Sequence, residues 1–256
     1  MSLAIDREDI PLNSLHVARG GPRYVTRVTG RSRYYQWDGH RYPSVTSVLG
    51  KVYPKPALYN WFAKRGREAM RDHLVAHLGE PISEGLLDDA VAEAKLRPSK
   101  DASEAADLGS QAHDLISAEL LGQTLPVPPA LEAVMDSFHA WRSDERLTLI
   151  DTETAVVGDG YAGTIDALWQ REDGSYLLVD WKTSNGLYQD HSVQVATYAR
   201  LLRQHTDVRV DATLVRLGKE RPEWEVLEVE ADQCASLDNL WDTAFGFYVA
   251  LKEHKS

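Results

Sequence analysis

The sequence predicts an α/β fold in which a mixed sheet is flanked by helices. From about residue 102 onward, periodic segments follow the order helix, three strands, helix, strand, which is typical of this class. The chain has 256 residues, of which 43% are hydrophobic. That is enough to bury one substantial core, or one core with a helical lobe beside it.

The first hundred residues predict a hairpin followed by helices. Aromatic residues within 33–42 flank an Asp38-Gly39 turn, which favours two short strands. Pro54 and Pro56 introduce a helix of about 56–78. A short helix follows, and Gly79 with the next two residues separates the two helices.

The remaining residues predict the core of the fold. Pro98, with the three polar residues after it, predicts a break between two helices. We expect an N-terminal lobe at 1–100 and the core at 101–256. The remaining expected elements are helices at about 83–96, 102–121 and 130–144, strands at about 147–157, 161–170 and 175–182, a helix at about 189–204, strands near 209–217 and 223–229, and a helix at about 232–252.

Residues 161–182 predict two antiparallel strands joined by a tight turn. The length of the turn decides which residue faces Asp166. A two-residue turn at Asp173-Gly174 sets Asp166 opposite Trp181. A three-residue turn, with its glycine in the left-handed conformation, sets Asp166 opposite Asp180. We expect the three-residue turn.

The facing pair Asp166 and Asp180 predicts a metal site. Two carboxylates pressed together in a sheet repel each other unless a cation offsets their charge. Carboxylate oxygens are also the ligands that a hard divalent cation prefers. Because strand side chains alternate, Lys182 projects with Asp180 and can contact a water that the cation activates. These residue types predict a metal-dependent phosphodiesterase.

Four sequence segments together carry a family resemblance. They are residues 109–113, 163–166 and 180–182 and the pair Gln194 and Tyr198. The set resembles the PD-(D/E)XK nuclease superfamily, in particular its RecB-like exonuclease branch, which includes CRISPR-associated adaptation nucleases and the mitochondrial genome maintenance exonuclease. The resemblance covers about residues 100–205 and implies a restriction-endonuclease-like core.

The resemblance also implies roles for individual residues. Lys182 would be the catalytic lysine, and Gln194 and Tyr198 would position Lys182, a scissile phosphate or a base. Glu153 would either hold a second metal through water or be an ordinary exposed acid. The cofactor would be Mg²⁺ or Mn²⁺. The implied metal ligands are His113, Asp166, Asp180 and the Trp181 carbonyl.

A single cysteine, Cys234, limits the chemistry available to the chain. An iron–sulfur cluster held by four cysteines, as in several members of the branch, is excluded, and so is an internal disulfide. With no apolar signal or membrane-length stretch, we expect a soluble cytoplasmic protein of bacterial or phage-like type. Cys234 itself is expected to be a packed or surface thiol.

Charge is distributed unevenly along the chain. The net charge is −11, yet residues 1–71 hold 13 Lys and Arg against 5 Asp and Glu, a local balance of +8. Many aromatic residues lie in the same front segment. Cationic side chains interleaved with aromatic ones are typical of single-stranded nucleic acid binding, although a core-packing hairpin and helix with a solvated basic side gives the same pattern.

The sequence therefore predicts a metal-dependent DNA exonuclease that acts from free ends of single-stranded DNA in repair, recombination or replication. A helical lobe over the site would admit a free end more easily than an interior stretch. Two alternatives are a sequence- or structure-specific endonuclease of the same fold and a catalytically idle nucleic-acid-binding subunit. The idle subunit is disfavoured because it has little reason to keep Lys182 together with both acids.

Overall fold

The computed structural model describes residues 26–28, 34–37, 39–144, 146–204 and 206–254. It divides into two compact units. One unit comprises Met1–Tyr53 and Ala112–Ser256, as far as those residues are described, and the other comprises Pro54–Gln111. These bounds differ from the predicted domains 1–100 and 101–256, which stay a prediction.

The described elements follow the predicted order from residue 102 onward. A short 3₁₀ turn, Pro129–Leu131, lies before α4. The elements are β1 (Thr26–Val28), β2 (Tyr34–Trp37), β3 (His40–Pro43), α1 (Val45–Val52), α2 (Pro56–Ala76), α3 (Glu84–Leu120), α4 (Glu132–Asp144), β4 (Thr148–Gly158), β5 (Tyr161–Gln170), β6 (Tyr176–Lys182), α5 (Gln189–Arg203), β7 (Val210–Leu217), β8 (Trp224–Val229) and α6 (Ala231–Glu253).

A five-stranded mixed sheet forms the centre of the larger unit, in the order β4-β5-β6-β7-β8. Only β6 and β7 pair in parallel among these neighbours, because α5 carries the chain back between them. The predicted α/β class is confirmed. The strand that carries Asp180 and Lys182, β6, is the central strand of this sheet.

Helices cover both faces of this sheet. One face packs against α1, α5 and α6 through a large apolar cluster that includes Val48, Leu214 and Trp241. The other face packs against α4, where the Trp181 ring lies 4.9 Å from Trp141, centroid to centroid. Trp181 therefore points away from the face on which Gln194 of α5 contacts Asp180.

The turn between β5 and β6 has three residues. Gln170 pairs with Tyr176, and the Arg171 N–H donates to the Ser175 carbonyl at 2.9 Å. Gly174 adopts a φ of +83°, which a residue with a Cβ rarely does. Continuing the pairing of Ala167 with Val179 sets Asp166 across from Asp180. The predicted turn length is confirmed.

The N-terminal hairpin is part of the larger unit. Strands β2 and β3 form the predicted hairpin, with Gly39 in the turn, and β1 adds a strand that the sequence did not predict. Tyr35 is buried, and its hydroxyl lies 2.7 Å from Thr164 Oγ1 on β5. Tyr35 is thus a core residue, and its ring is not exposed to a ligand.

The predicted helix break at Pro98 is wrong. Pro98 lies inside α3, a single helix of 37 residues, and is buried. A proline removes one intrahelical hydrogen bond, which frees the carbonyl of Ala94. Gly66 of α2 lies against that carbonyl, since a Cβ built on Gly66 would stand 2.9 Å from Ala94 O. The helix thus continues through Pro98, with α2 packed against the turn that lacks a hydrogen bond. Sequence rules predict a helix end at this position.

None of the described helices combines the length and the apolar character that crossing a membrane requires.

Candidate active site

Two buried carboxylates face each other across β5 and β6. Asp166 is 8% exposed and Asp180 is 1% exposed. The Trp181 N–H donates to Asp166 Oδ2 at 2.8 Å, so the backbone of β6 fixes the Asp166 side chain. Loss of hydration would raise the pKa of Asp166, but His113 and Lys182 hold it below its usual value. Asp166 therefore stays ionised.

His113 on α3 is the second neighbour of Asp166. Its Nδ1 lies 3.2 Å from Asp166 Oδ2. Desolvation lowers the pKa of the imidazole, but the Asp166 carboxylate outweighs this and raises the pKa to about 9. The structure thus brings His113 to the carboxylates, although 53 positions of chain separate it from Asp166.

Lys182 lies beside the other carboxylate. Its Nζ is 2.5 Å from Asp180 Oδ2, so the two charged groups form a buried ion pair. Burial raises the pKa of Asp180 to about 6 in spite of the lowering effect of Lys182, and the charge of Asp166 adds to the rise.

Gln194 on α5 links the acid and the lysine. Its Nε2 donates to Asp180 Oδ1 at 2.9 Å, and its Oε1 accepts from Lys182 Nζ at 3.2 Å. Tyr198, one turn further along α5, places its hydroxyl 3.3 Å from the same Nε2. Burial raises the pKa of Tyr198 well above its usual value, so the hydroxyl stays protonated.

The structure explains why the motif has a glycine, Gly163, three residues before Asp166. A Cβ at this position would stand 2.9 Å from Tyr198 Cζ and closer still to Cε1. The Tyr198 ring therefore occupies the space that a side chain at residue 163 would need. Gly163, Gln194 and Tyr198 form one packed arrangement that supports Asp180 and Lys182.

Glu153 on β4 adds a third acid to the site. One ligand atom each from His113, Glu153 and Asp166 lie within 4.8 Å of one another. Glu153 is partly buried and has a φ of +51°, a left-handed conformation that costs energy in a residue with a Cβ. Glu153 is thus half-buried in a strained backbone conformation, and its role in metal binding stays a prediction.

The donor set fits a hard divalent cation. Carboxylate oxygens and an imidazole nitrogen suit Mg²⁺ and Mn²⁺, and the cluster of His113, Glu153 and Asp166 supplies both kinds of ligand atom. The Trp181 indole is 1% exposed and packs on the opposite face of the sheet. Only the main chain of Trp181 is available to this site.

A family model matches most of the chain. The model of the PD-(D/E)XK nuclease superfamily matches residues 59–246. The chain belongs to this superfamily. The family predicted from the sequence is therefore confirmed, and the mixed sheet flanked by helices is the fold that the family predicts. No curated protein matches the sequence.

Two solved structures resemble this PD-(D/E)XK nuclease at low identity. The crystal structure of SSO0001 is 17% identical, with a TM-score of 0.33, over 71% of this chain and 85% of that one. The structure of LHK-Exo in complex with dAMP is 12% identical, also with a TM-score of 0.33, over 77% of this chain and 95% of that one.

Membership in the PD-(D/E)XK superfamily makes the chain a nuclease that uses a divalent metal and acts on nucleic acid. The cluster of His113, Glu153 and Asp166 is a site that can hold such an ion. His113 and Glu153 lie near Asp166, and the Trp181 N–H donates to the same carboxylate. Asp180, Lys182, Gln194 and Tyr198 form a second set of contacts.

Sequence reasoning missed the polar residues that support the site. The Thr152 hydroxyl donates to the Asp166 carbonyl at 2.7 Å, and Ser117 Oγ lies 3.3 Å from the same hydroxyl. Asp151 accepts hydrogen bonds from both neighbours of Glu153. No motif marks these residues. Their only signal is a run of polar residues, 151–154, inside a strand that is otherwise apolar.

Proposed function

We propose that this PD-(D/E)XK nuclease is a metal-dependent DNA exonuclease that hydrolyses phosphodiester bonds from free ends of single-stranded DNA, in repair, recombination or replication. The observation that supports the proposal is the convergence of Asp166, Asp180 and Lys182 on the neighbouring strands β5 and β6. The His113 helix and the Gln194 to Tyr198 spacing support the RecB-like exonuclease branch.

The proposed ligands of the divalent cation are oxygen and nitrogen atoms already held in place. His113, Asp166, Asp180 and the Trp181 carbonyl would bind it, and Glu153 would bind directly or through water. When bound, such a cation polarises the scissile phosphate and lowers the pKa of a water molecule. Asp166 needs no rearrangement for this role because the Trp181 N–H already orients it.

Lys182 is the proposed catalytic residue. Its ammonium group would orient the attacking water and offset the charge that develops on the phosphate oxygens. Gln194 holds Lys182 and Asp180 at once through its two side-chain atoms, so the distance between acid and lysine is fixed before substrate arrives. Tyr198 in turn orients Gln194. Such preorganisation favours the transition state over the ground state.

Single-stranded DNA is the proposed substrate because of the front segment. Its positive charge suits phosphates, and Tyr59, 68% exposed, offers a ring on which a base can stack. Arg41 covers the Tyr34 ring, with Cζ 3.8 Å from the ring centroid, so cation and aromatic side chains also meet on the hairpin.

Digestion of defined DNA tests the proposal. Linear and circular DNA, single- and double-stranded and end-labelled where linear, are incubated with Mg²⁺, Mn²⁺ or EDTA. We expect linear single strands to be shortened from an end with metal, and circles to be spared. Rapid cutting of circular single strands would instead identify an endonuclease. No cleavage of any substrate with either metal would favour the idle subunit.

A further inference from the structure

The backbone at Glu153 departs from the strand geometry around it. Thr152 pairs with Ala167 and Thr154 pairs with Ile165, so Glu153 and Asp166 occupy the corresponding positions between these pairs. Glu153 nevertheless has a φ of +51°, far from the extended values of a strand. Glu153 and Asp159 are the residues other than glycine that have positive φ in the described parts of the chain, and Asp159 lies in a turn.

The side-chain alternation of the neighbouring strand changes at the same level. Ile165 and Leu168 both belong to the apolar cluster under α5 and α6, although residues three apart in a regular strand point to opposite faces. The alternation of side chains between the two faces of β5 is therefore interrupted between Ile165 and Leu168. Asp166 lies within this interval. Glu153 on β4 takes up its left-handed conformation beside this reset.

Hydrogen bonds hold the residues on either side of Glu153. Asp151 Oδ1 accepts from the Thr152 N–H at 2.9 Å, and Asp151 Oδ2 accepts from the Thr154 hydroxyl at 2.5 Å. The Asp151 side chain thus binds the residues immediately before and after Glu153. All three supporting residues are buried, with Thr152 and Thr154 at 1% exposure, so these bonds are shielded from water.

We propose that Asp151 is a positioning residue that holds Glu153 in the left-handed conformation through Thr152 and Thr154, and so brings the Glu153 carboxylate to the metal cluster with His113 and Asp166. The inference rests on the proposed function, because it assigns Glu153 a part in metal binding. The strain at Glu153 persists because the surrounding bonds outweigh it.

The backbone strain is tested with metal absent. Glycine adopts a positive φ without steric cost, whereas alanine does not. In EDTA, Glu153→Gly should therefore melt about 2–4 °C above Glu153→Ala. Both variants lack the carboxylate, so the comparison isolates the backbone. A Glu153→Gly protein that melts at or below the temperature of Glu153→Ala would overturn the strain on which the inference depends.

The positioning role is tested by Mn²⁺ titration, read as the rise in melting temperature and as the Kd from calorimetry. Thr154→Val removes the hydroxyl that Asp151 binds, and Thr154→Ser keeps it. We expect Thr154→Val to weaken Mn²⁺ binding about tenfold or more, and Thr154→Ser to retain binding. In a Glu153→Gln background, Thr154→Val should cause little further loss, because its effect passes through Glu153.

The outcomes separate the inference from the proposed function. A wild type that shows no Mn²⁺-dependent rise would overturn the metal site and the inference with it. If the wild type responds to Mn²⁺ but Thr154→Val binds Mn²⁺ as tightly as Thr154→Ser, the inference alone is overturned. The same holds if Thr154→Val weakens Mn²⁺ binding as much in the Glu153→Gln background as in the wild type. Asp151→Asn, measured in the same way, replaces Thr154→Val if that variant does not fold.

Discussion

Tyr198 fills the space above Gly163, so that a methyl group at Gly163 would stand 2.9 Å from Tyr198 Cζ. The contact joins β5 to α5 at the level of the carboxylates. Tyr198 in turn contacts Gln194, which binds both Asp180 and Lys182. A backbone position without a side chain thus controls the geometry of residues that lie on other elements.

Gly163→Ala should therefore destabilise the protein and impair its activity together. Overpacking of a tight contact typically costs about 1–3 kcal/mol, and a displaced Tyr198 releases Gln194. Urea denaturation measures the first effect and single-strand digestion the second. Gly50→Ala is the control, because a Cβ at Gly50 meets no atom within 4 Å. Unchanged stability and turnover in Gly163→Ala would show that Tyr198 can move without consequence.

The hairpin register illustrates what the sequence can predict. Alternation of apolar residues and the position of Gly174 are local signals that limit Asp166 to two partners, Trp181 or Asp180, and the expected three-residue turn gives the second. The three-residue turn depends on one residue that tolerates a positive φ. The family resemblance, rather than any local rule, singled out His113, which lies beside Asp166 in the structure.

Features fixed by contacts distant in sequence were not predicted. Pro98 predicts a helix end, because the sequence does not show that Gly66 of another helix lies against the carbonyl that the proline frees. The buried position of Tyr35 depends on Thr164, which is 129 residues away. Local rules fail at such positions because tertiary packing overrides them.

Metal binding should raise the melting temperature of the wild type, and Asp180→Asn should remove most of that rise. A cation at 100 times its Kd adds about 2.7 kcal/mol of stability, and the Asp180 carboxylate, buried beside the charge of Asp166, is a main source of this gain. A thermal-shift titration with Mn²⁺ measures it. Asp136→Asn, at an exposed position of α4, is the control. An equal rise in wild type and Asp180→Asn would exclude Asp180 as a ligand.

Lys182→Ala should slow catalysis without weakening DNA binding. The ammonium group acts mainly at the transition state, so turnover should fall about 100- to 10,000-fold while the Kd for DNA changes little. Single-turnover digestion and fluorescence anisotropy measure the two quantities. Lys219→Ala, at an exposed position, controls for loss of one positive charge. A Lys182→Ala protein that cuts at the wild-type rate would refute the assignment.

Cys234 should react with thiol reagents only after unfolding. It lies fully buried in the cluster of α5 and α6, and burial raises the pKa of its thiol, so little thiolate is available. Reaction with a disulfide reagent should be slow in buffer and fast in denaturant, with one thiol modified per chain. Fast reaction of the native protein would show that α6 opens readily.

Binding to single-stranded DNA should contain a salt-dependent and a salt-resistant part. Phosphate contacts of the basic front segment make the logarithm of the affinity fall linearly with the logarithm of the salt concentration, with a slope of about −0.7 per contact. Stacking of a base on an exposed ring adds about 1–3 kcal/mol that salt screens little. Tyr59, at 68% exposure, is the most exposed aromatic residue in the described part of the front segment.

Tyr59→Ala should accordingly lower affinity by a similar factor at low and high salt, and leave the salt slope unchanged. Anisotropy titrations of an oligonucleotide across a salt series measure both quantities. Phe247→Ala is the matched control, because Phe247 is 56% exposed but lies in the acidic remainder of the chain. Buried Tyr35 is not a candidate for stacking, since its ring packs beside β5. If Tyr59→Ala binds as tightly as the control at every salt concentration, Tyr59 stacks on no base and has only a structural role.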